Sequence, residues 1–197
     1  MFKTTFRPKT DINILIALGA NTPNAGHSLS EALNDALSQI DTTDCRLTGK
    51  SRLFNTPCFP EGAGPDYINA AAAFQTSLSA QEVLNRLHFV EKGAGRERTV
   101  RWAERTLDLD LLAFGDAVSP DLATFQAWRE LPLARQKTEA PDRLILPHPR
   151  MHERAFVLIP LMDVAPDWRH PVLGLTVRQM VQALPEADKS AICPVAG

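Results

Sequence analysis

Apolar residues in this chain fall into short aliphatic runs and helical stripes that alternate along its length. Ile12 to Leu18 is a β-branched and aliphatic run ending at Gly19, which predicts a buried strand. Ser28 with Glu31 three residues on has the form of a capping box, and Leu29, Leu33, Ala36, Leu37 and Ile40 follow at helical spacing. Leu47 to Phe54 and Tyr67 to Phe74 predict two more strands, joined by a loop, Asn55 to Asp66, that holds Pro57, Pro60, Gly62, Gly64 and Pro65. A second helix opens at Ser79 with Glu82 as capping partner and Leu78 and Val83 at staple positions. Leu84, Leu87 and Val90 continue its face until Gly93. Thr106 to Phe114 is again a strand, with Leu107, Leu109 and Leu111 on one face.

The order βαββαβ predicts an α+β class with a ferredoxin-like core: an antiparallel sheet, two helices on one face, and the opposite face free for a site. From Asp116 to Arg143 the chain carries Pro120, Pro132 and Pro141 around a short helix pattern in which Leu122, Phe125 and Trp128 recur every third residue. This excursion, about 116–143, is too short to hold a core of its own, so residues 1–197 read as one domain. Two further helical segments, His152 to Asp163 and Leu175 to Leu184, close the pattern.

Composition narrows the functional classes. The chain has 197 residues, 44% of them apolar, and a formal net charge of -2, which argues against disorder and against nucleic-acid binding through bulk positive charge. The apolar run Ile12 to Ala20 is far shorter than the ~20 residues of a membrane span. Met1 to Asp11 lacks the apolar core of a secretory signal, and Cys45, Cys58 and Cys193 are odd in number and widely spaced, which suits reduced thiols and a cytoplasmic location.

The segment Arg96 to Leu112 carries the chemistry. On a strand, Asp108 and Asp110 leave the same face while the neighbouring leucines leave the other. Their Cα atoms stand roughly 6.5 to 7 Å apart, so the carboxylates can converge on hard cations, and two metals about 3.5 to 4 Å apart suit such a pair. Between Lys92 and Arg105 five basic residues stand against two acidic ones, a local charge of +3 feeding into the acidic pair. Arginines beside a metal pair are what phosphoryl transfer needs. Trp102 adds an apolar face for an adenine or ribose. Taken singly, an isolated D-x-D is most often a solvated strand, a basic run a solvated loop and a tryptophan a surface anchor; their adjacency changes the reading.

The run Arg101-Trp102-Ala103-Glu104-Arg105-Thr106-Leu107-Asp108-Leu109-Asp110-Leu111-Leu112 closely resembles the signature of the 6-hydroxymethyl-7,8-dihydropterin pyrophosphokinase family. The resemblance extends to Gly19-Ala20-Asn21, Thr56-Pro57, Asp66-Tyr67-Ile68-Asn69-Ala70, Gly95-Arg96, Pro147-His148 and Arg154-Ala155-Phe156, in the family's order. It implies transfer of pyrophosphate from ATP to the pterin hydroxymethyl oxygen, with AMP leaving, in folate biosynthesis. Asp108 and Asp110 would coordinate two Mg2+ ions, and Arg96 and Arg105 would engage the phosphates. Thr56, Pro57, Phe59, Tyr67, Asn69 and Phe156 fall at pterin-side positions, with Tyr67 and Phe156 as aromatic walls. Glu91, Arg98, Trp102, Arg105, Leu111, Arg143, His148 and Arg154 fall at ATP-side positions. Pro149 stands where the family often has an aromatic residue and His88 where it often has glutamine. His148 and His152 have an i, i+4 spacing, but Pro147 and Pro149 oppose the helical geometry a zinc site would need. The implied partners are the two small substrates, with no nucleic acid or membrane, for a monomer or weak homodimer. Two alternatives share some of these features: another metal-dependent transferase on a similar sheet, and an RNA-binding module, against which the net charge and the acidic pair on the proposed face both count.

Overall fold

The computed structural model describes residues 11–23, 28–58, 64–95, 106–132, 135 and 138–195. Six strands form one sheet: β1 (Ile12–Ala20), β2 (Cys45–Lys50), β3 (Phe54–Thr56), β4 (Tyr67–Thr76), β5 (Asp108–Phe114) and β6 (Cys193–Pro194). The order is β5-β1-β4-β3-β6, with β2 also paired to β4, and each pairing is antiparallel. The two helices expected between strands are α1 (Leu29–Ile40) and α2 (Ala80–Gly93), and both capping boxes form, at Ser28 with Glu31 and at Ser79 with Glu82.

Alternation along the strands sorts the core into two layers. Ile14, Ile16 and Leu18 of β1, Ala70, Ala72 and Phe74 of β4, and Leu109 and Leu111 of β5 face Leu33, Leu37, Ile40, Val83, Leu87 and Val90 of α1 and α2. Each large aliphatic chain buried there contributes roughly 1.5–3 kcal/mol. The other face is not open, as the sequence had suggested. Leu15, Phe54, Ala71, Leu112 and Ala113 are covered by α4 (Ala155–Val164) and α5 (Val177–Ala183). α4 is apolar around most of its circumference because it is enclosed by sheet on one side and by α5 on the other. Gly19, Asn69 and Asp108, at one end of this face, do not belong to that apolar layer.

Two expected strands also change. The run Leu47 to Phe54 divides into β2 and β3 because Ser51 substitutes a side chain for backbone: its N–H donates to the Ala71 carbonyl at 2.9 Å while its Oγ accepts the Ala71 N–H at 2.9 Å. The Arg52 backbone N–H then turns to Asp163 at 3.0 Å, and its guanidinium makes two further bonds to the same carboxylate. The strand expected from Thr106 begins at Asp108. In the closing segment His152 lies in a 3-10 turn, Met151–Glu153, and α6 (Glu186–Ser190) and β6 are additions that the apolar pattern did not announce.

The excursion holds α3 (Leu122–Arg129), which returns to the body through Phe125, fully buried against the His170 ring at 5.6 Å between centroids. His170 is wholly enclosed, with Trp168 on another side, and its Nδ1 accepts the N–H groups of Val172 and Leu173. The ring hydrogen therefore sits on Nε2, which has no partner among the described residues. Burial, and secondarily His152, lowers the His170 pKa from the usual 6.5 to about 4; the nearby Arg129 acts in the same direction. Because the folded value lies below the unfolded one, the contribution of neutral His170 is complete above pH 6.5. It is lost as pH falls toward 4, a change of about 3 kcal/mol. Unfolding titrations from pH 7 to 4 should show the wild type losing that much more stability than His170→Phe; parallel curves would refute the assignment.

Candidate active site

This end of the sheet brings together residues from four strands. Gly19 pairs with Asn69 on one side and Asp108 on the other, and Asn69 pairs in turn with Phe54. The next row on the same face is Asp110, Ala17 and Ala71. Small residues on β1 and β4 thus separate the two aspartates from the Asn69 carboxamide, at a backbone distance of roughly 10 Å across two strand spacings. Both aspartates are half-buried, on the face the alternation assigned to them.

Asn69 is held in one orientation. It is buried, and its Nδ2 donates to Thr56 Oγ1 at 2.9 Å, which leaves Oδ1 lying over Gly19. A Cβ on Gly19 would stand 2.6 Å from that oxygen, so glycine is required here by close approach. Tyr67 is opposite Thr56 in register and shares the Asn69 face, half-buried. Beneath the loop that leads to it, Asp66 accepts the Cys58 N–H at 3.0 Å and Asn21 donates to the Pro65 carbonyl at 3.3 Å.

The aspartate side is bounded by residues from beyond the sheet. The His148 N–H donates to the Leu112 carbonyl at 2.8 Å, seating this segment along the free edge of β5, and its Nδ1 accepts the Arg150 N–H. Burial, reinforced by the neighbouring Arg154 cation, lowers the His148 pKa to about 3, so the ring is neutral and its hydrogen sits on Nε2. Arg154 Nη1 lies 3.9 Å from Asp110 Oδ2, and its guanidinium carbon is 5.6 Å from the centre of the exposed Phe156 ring. Burial lowers the Arg154 pKa, and Asp110 is the main opposing charge. Behind the strand, buried Glu91 accepts the Leu109 N–H through Oε1 at 3.0 Å, anchoring the backbone between the two aspartates.

Thr56, Tyr67, Asn69, Asp108 and Asp110 therefore share one face, with His148, Arg154 and Phe156 beside the aspartates. Leu111 turns its side chain the other way, into the layer beneath α1 and α2. Arg143 is exposed and pairs with its neighbour Asp142, and Pro57 is exposed beside Thr56. Phe59, Arg96, Arg98, Trp102 and Arg105 lie outside the described residues. Among the described residues no group of three or more His, Cys, Asp or Glu side chains is placed to hold a metal ion. The motifs name Gly19 and Glu91 but not what they do here: the close approach at Gly19 needs the β1–β4 register, and the Glu91 bond to the Leu109 N–H needs the α2–β5 contact.

This arrangement has counterparts. A model of the 7,8-dihydro-6-hydroxymethylpterin-pyrophosphokinase (HPPK) family matches residues 15–166. A 2-amino-4-hydroxy-6-hydroxymethyldihydropteridine pyrophosphokinase of Synechocystis is 35% identical over 184 residues, covering 92% of this chain and 80% of that one. One of the same description from Haemophilus influenzae is 36% identical over 156 residues, covering 79% and 83%. The crystal structure of wild-type Plasmodium falciparum HPPK-DHPS with SDX-DHP superposes with a TM-score of 0.62 at 14% identity. That match covers 87% of this chain but 44% of the other, so the chain spans less than half the length of that relative, and the likeness bears on the fold. The chain belongs to the HPPK family. Among the described residues, no helix is long and apolar enough to cross a membrane.

Proposed function

We propose that the chain transfers the pyrophosphoryl group of ATP to the hydroxymethyl oxygen of 6-hydroxymethyl-7,8-dihydropterin, releasing AMP, as a step of folate biosynthesis. The observation that carries the reading is the placement of the Thr56-locked Asn69 amide and the Asp108–Asp110 pair on one face, with only small side chains between them. In the reaction the pterin hydroxyl oxygen bonds to the β-phosphorus, the bond from that phosphorus to the AMP oxygen breaks, and the hydroxyl proton is released.

The chain's residues contribute position and charge more than covalent chemistry. Asn69 and Thr56 meet the polar edge of the pterin, and Tyr67 and Phe156 supply aromatic walls. Asp108 and Asp110 offer hard, acceptor-only oxygens on one half-exposed face, a donor set that would hold the two Mg2+ ions the family resemblance implies. Bound there, Mg2+ would neutralise phosphate charge and align the reacting oxygens. Arg154 lies against this face as a second positive group, and neutral His148 presents a fixed Nε2 hydrogen. Arg96, Arg98, Trp102 and Arg105 keep the nucleotide and phosphate roles that the family resemblance implies. The same reading treats residues 1–197 as one catalytic domain in the cytoplasm, where the three free cysteines remain thiols.

The test is AMP release from ATP and Mg2+ with and without 6-hydroxymethyl-7,8-dihydropterin, repeated with excess chelator. AMP should form only with the pterin and only with free Mg2+. Folded protein that shows no pterin-dependent AMP would defeat the reading.

A further inference from the structure

β3 is three residues long, yet it carries Thr56, the partner of the buried Asn69 amide. On its inner side it pairs with β4 through Phe54–Asn69, Asn55–Ile68 and Thr56–Tyr67. On its outer side it meets β6: Phe54 is opposite Pro194, Asn55 is opposite Cys193, and the Val195 N–H donates to the Leu53 carbonyl at 2.8 Å. Hydrogen-bonded and non-hydrogen-bonded positions alternate along an antiparallel pair. The Val195 bond therefore makes Phe54–Pro194 a non-bonded position, where a proline deletes nothing from the ladder. Leu184 and Ile192 are buried in the layer beneath α4, with α6 between them. The chain thus leaves the core, turns through α6, and returns to the sheet along the strand that bears Thr56. This segment lies past residue 166, where the family-model match ends.

We infer that residues 192–195 are a positioning strap for the pterin side of the site. By making β3 an interior strand they hold Thr56, and through Thr56 the Asn69 amide, in its binding orientation. A three-residue strand paired on one side only would fray, and its hydroxyl would no longer be fixed. The inference rests on the proposed pterin role of Thr56 and Asn69.

Val195→Pro removes the donor to Leu53, and a chain ending at Pro194 removes the same bond without introducing a ring. In both, KM for the pterin should rise roughly five-fold, the size of one lost hydrogen bond, with kcat and the ATP KM unchanged. Amide exchange at Asn55 should accelerate, and Pro194→Ala should behave as wild type. An unchanged pterin KM, or an equal loss for both substrates, would overturn the strap. Asn69→Ala measured alongside separates the two readings. If it raises the pterin KM while Val195→Pro does not, the strap alone fails; if neither does, the pterin assignment fails and takes the strap with it.

Discussion

Asp110→Asn should lower pterin-dependent AMP release by at least about 100-fold while leaving the fold intact, a loss of the size seen when one preorganised charge-stabilising group is removed. Asparagine keeps the shape and one oxygen acceptor but removes the negative charge that would hold Mg2+. It also spares Arg154 the wider gap that alanine would leave beside its guanidinium, 3.9 Å from Asp110. The pair is partly exposed, with side chains 27% and 39% accessible, so its own share of stability is within about 1 kcal/mol. Asp108→Asn should behave alike, since Asp108 occupies the same face one row along. Steady-state rates over a Mg2+ series, paired with thermal melts, separate the effects: the metal requirement should move sharply and the melting temperature little. Near-normal turnover in either variant would remove the metal assignment.

Gly19→Ala should damage both stability and pterin affinity. The new methyl would stand 2.6 Å from Asn69 Oδ1, and that oxygen cannot retreat freely because the same amide is buried and bonded to Thr56 at 2.9 Å. Overpacking of this kind costs about 1–3 kcal/mol. Relief by rotating the amide would break the Thr56 bond, so the pterin KM should rise about ten-fold or more, as it does when a buried polar partner is displaced. The ATP KM should change far less. Gly93→Ala, where a Cβ would meet nothing within 4 Å, controls for a methyl added at a glycine elsewhere. If Gly19→Ala matches the control in both melting temperature and pterin KM, the close-approach argument is wrong.

The parts of this fold visible in the sequence are those set within a few residues. Ser28 with Glu31 and Ser79 with Glu82 mark two helix starts because a capping box is local chemistry, and both form. The shared face of Asp108 and Asp110 follows from strand alternation alone. What stayed hidden depends on partners far along the chain. The break between β2 and β3 needs Ser51 to reach Ala71 and Arg52 to reach Asp163. The cover on the second face needs α4 to fold back over Leu15 and Ala71, and the largely apolar run Ala155–Val164 does not say which surface it will meet. In the candidate site, motif spacing proposes the residues, but the dependence of Asn69 on Gly19 is a consequence of register between strands fifty positions apart.

One irregularity in β5 explains a pattern that simple alternation does not. The β1–β5 register shifts between Leu15 and Ile16: Ile16 is opposite Leu111 and Leu15 is opposite Ala113, so Leu112 is an extra residue, a bulge. The bulge acts as a phase shift. Above it, even-numbered Asp108 and Asp110 share a face; below it, odd-numbered Ala113 joins Leu112 in the layer under α4 while even-numbered Phe114 turns to the helices of the other layer. An unbroken period of two would have sent Ala113 and Phe114 to the opposite layers. The neighbours Leu112-Ala113, adjacent in the chain yet in one layer, are thus the trace of the bulge, and beyond them the strand continues with its alternation reversed.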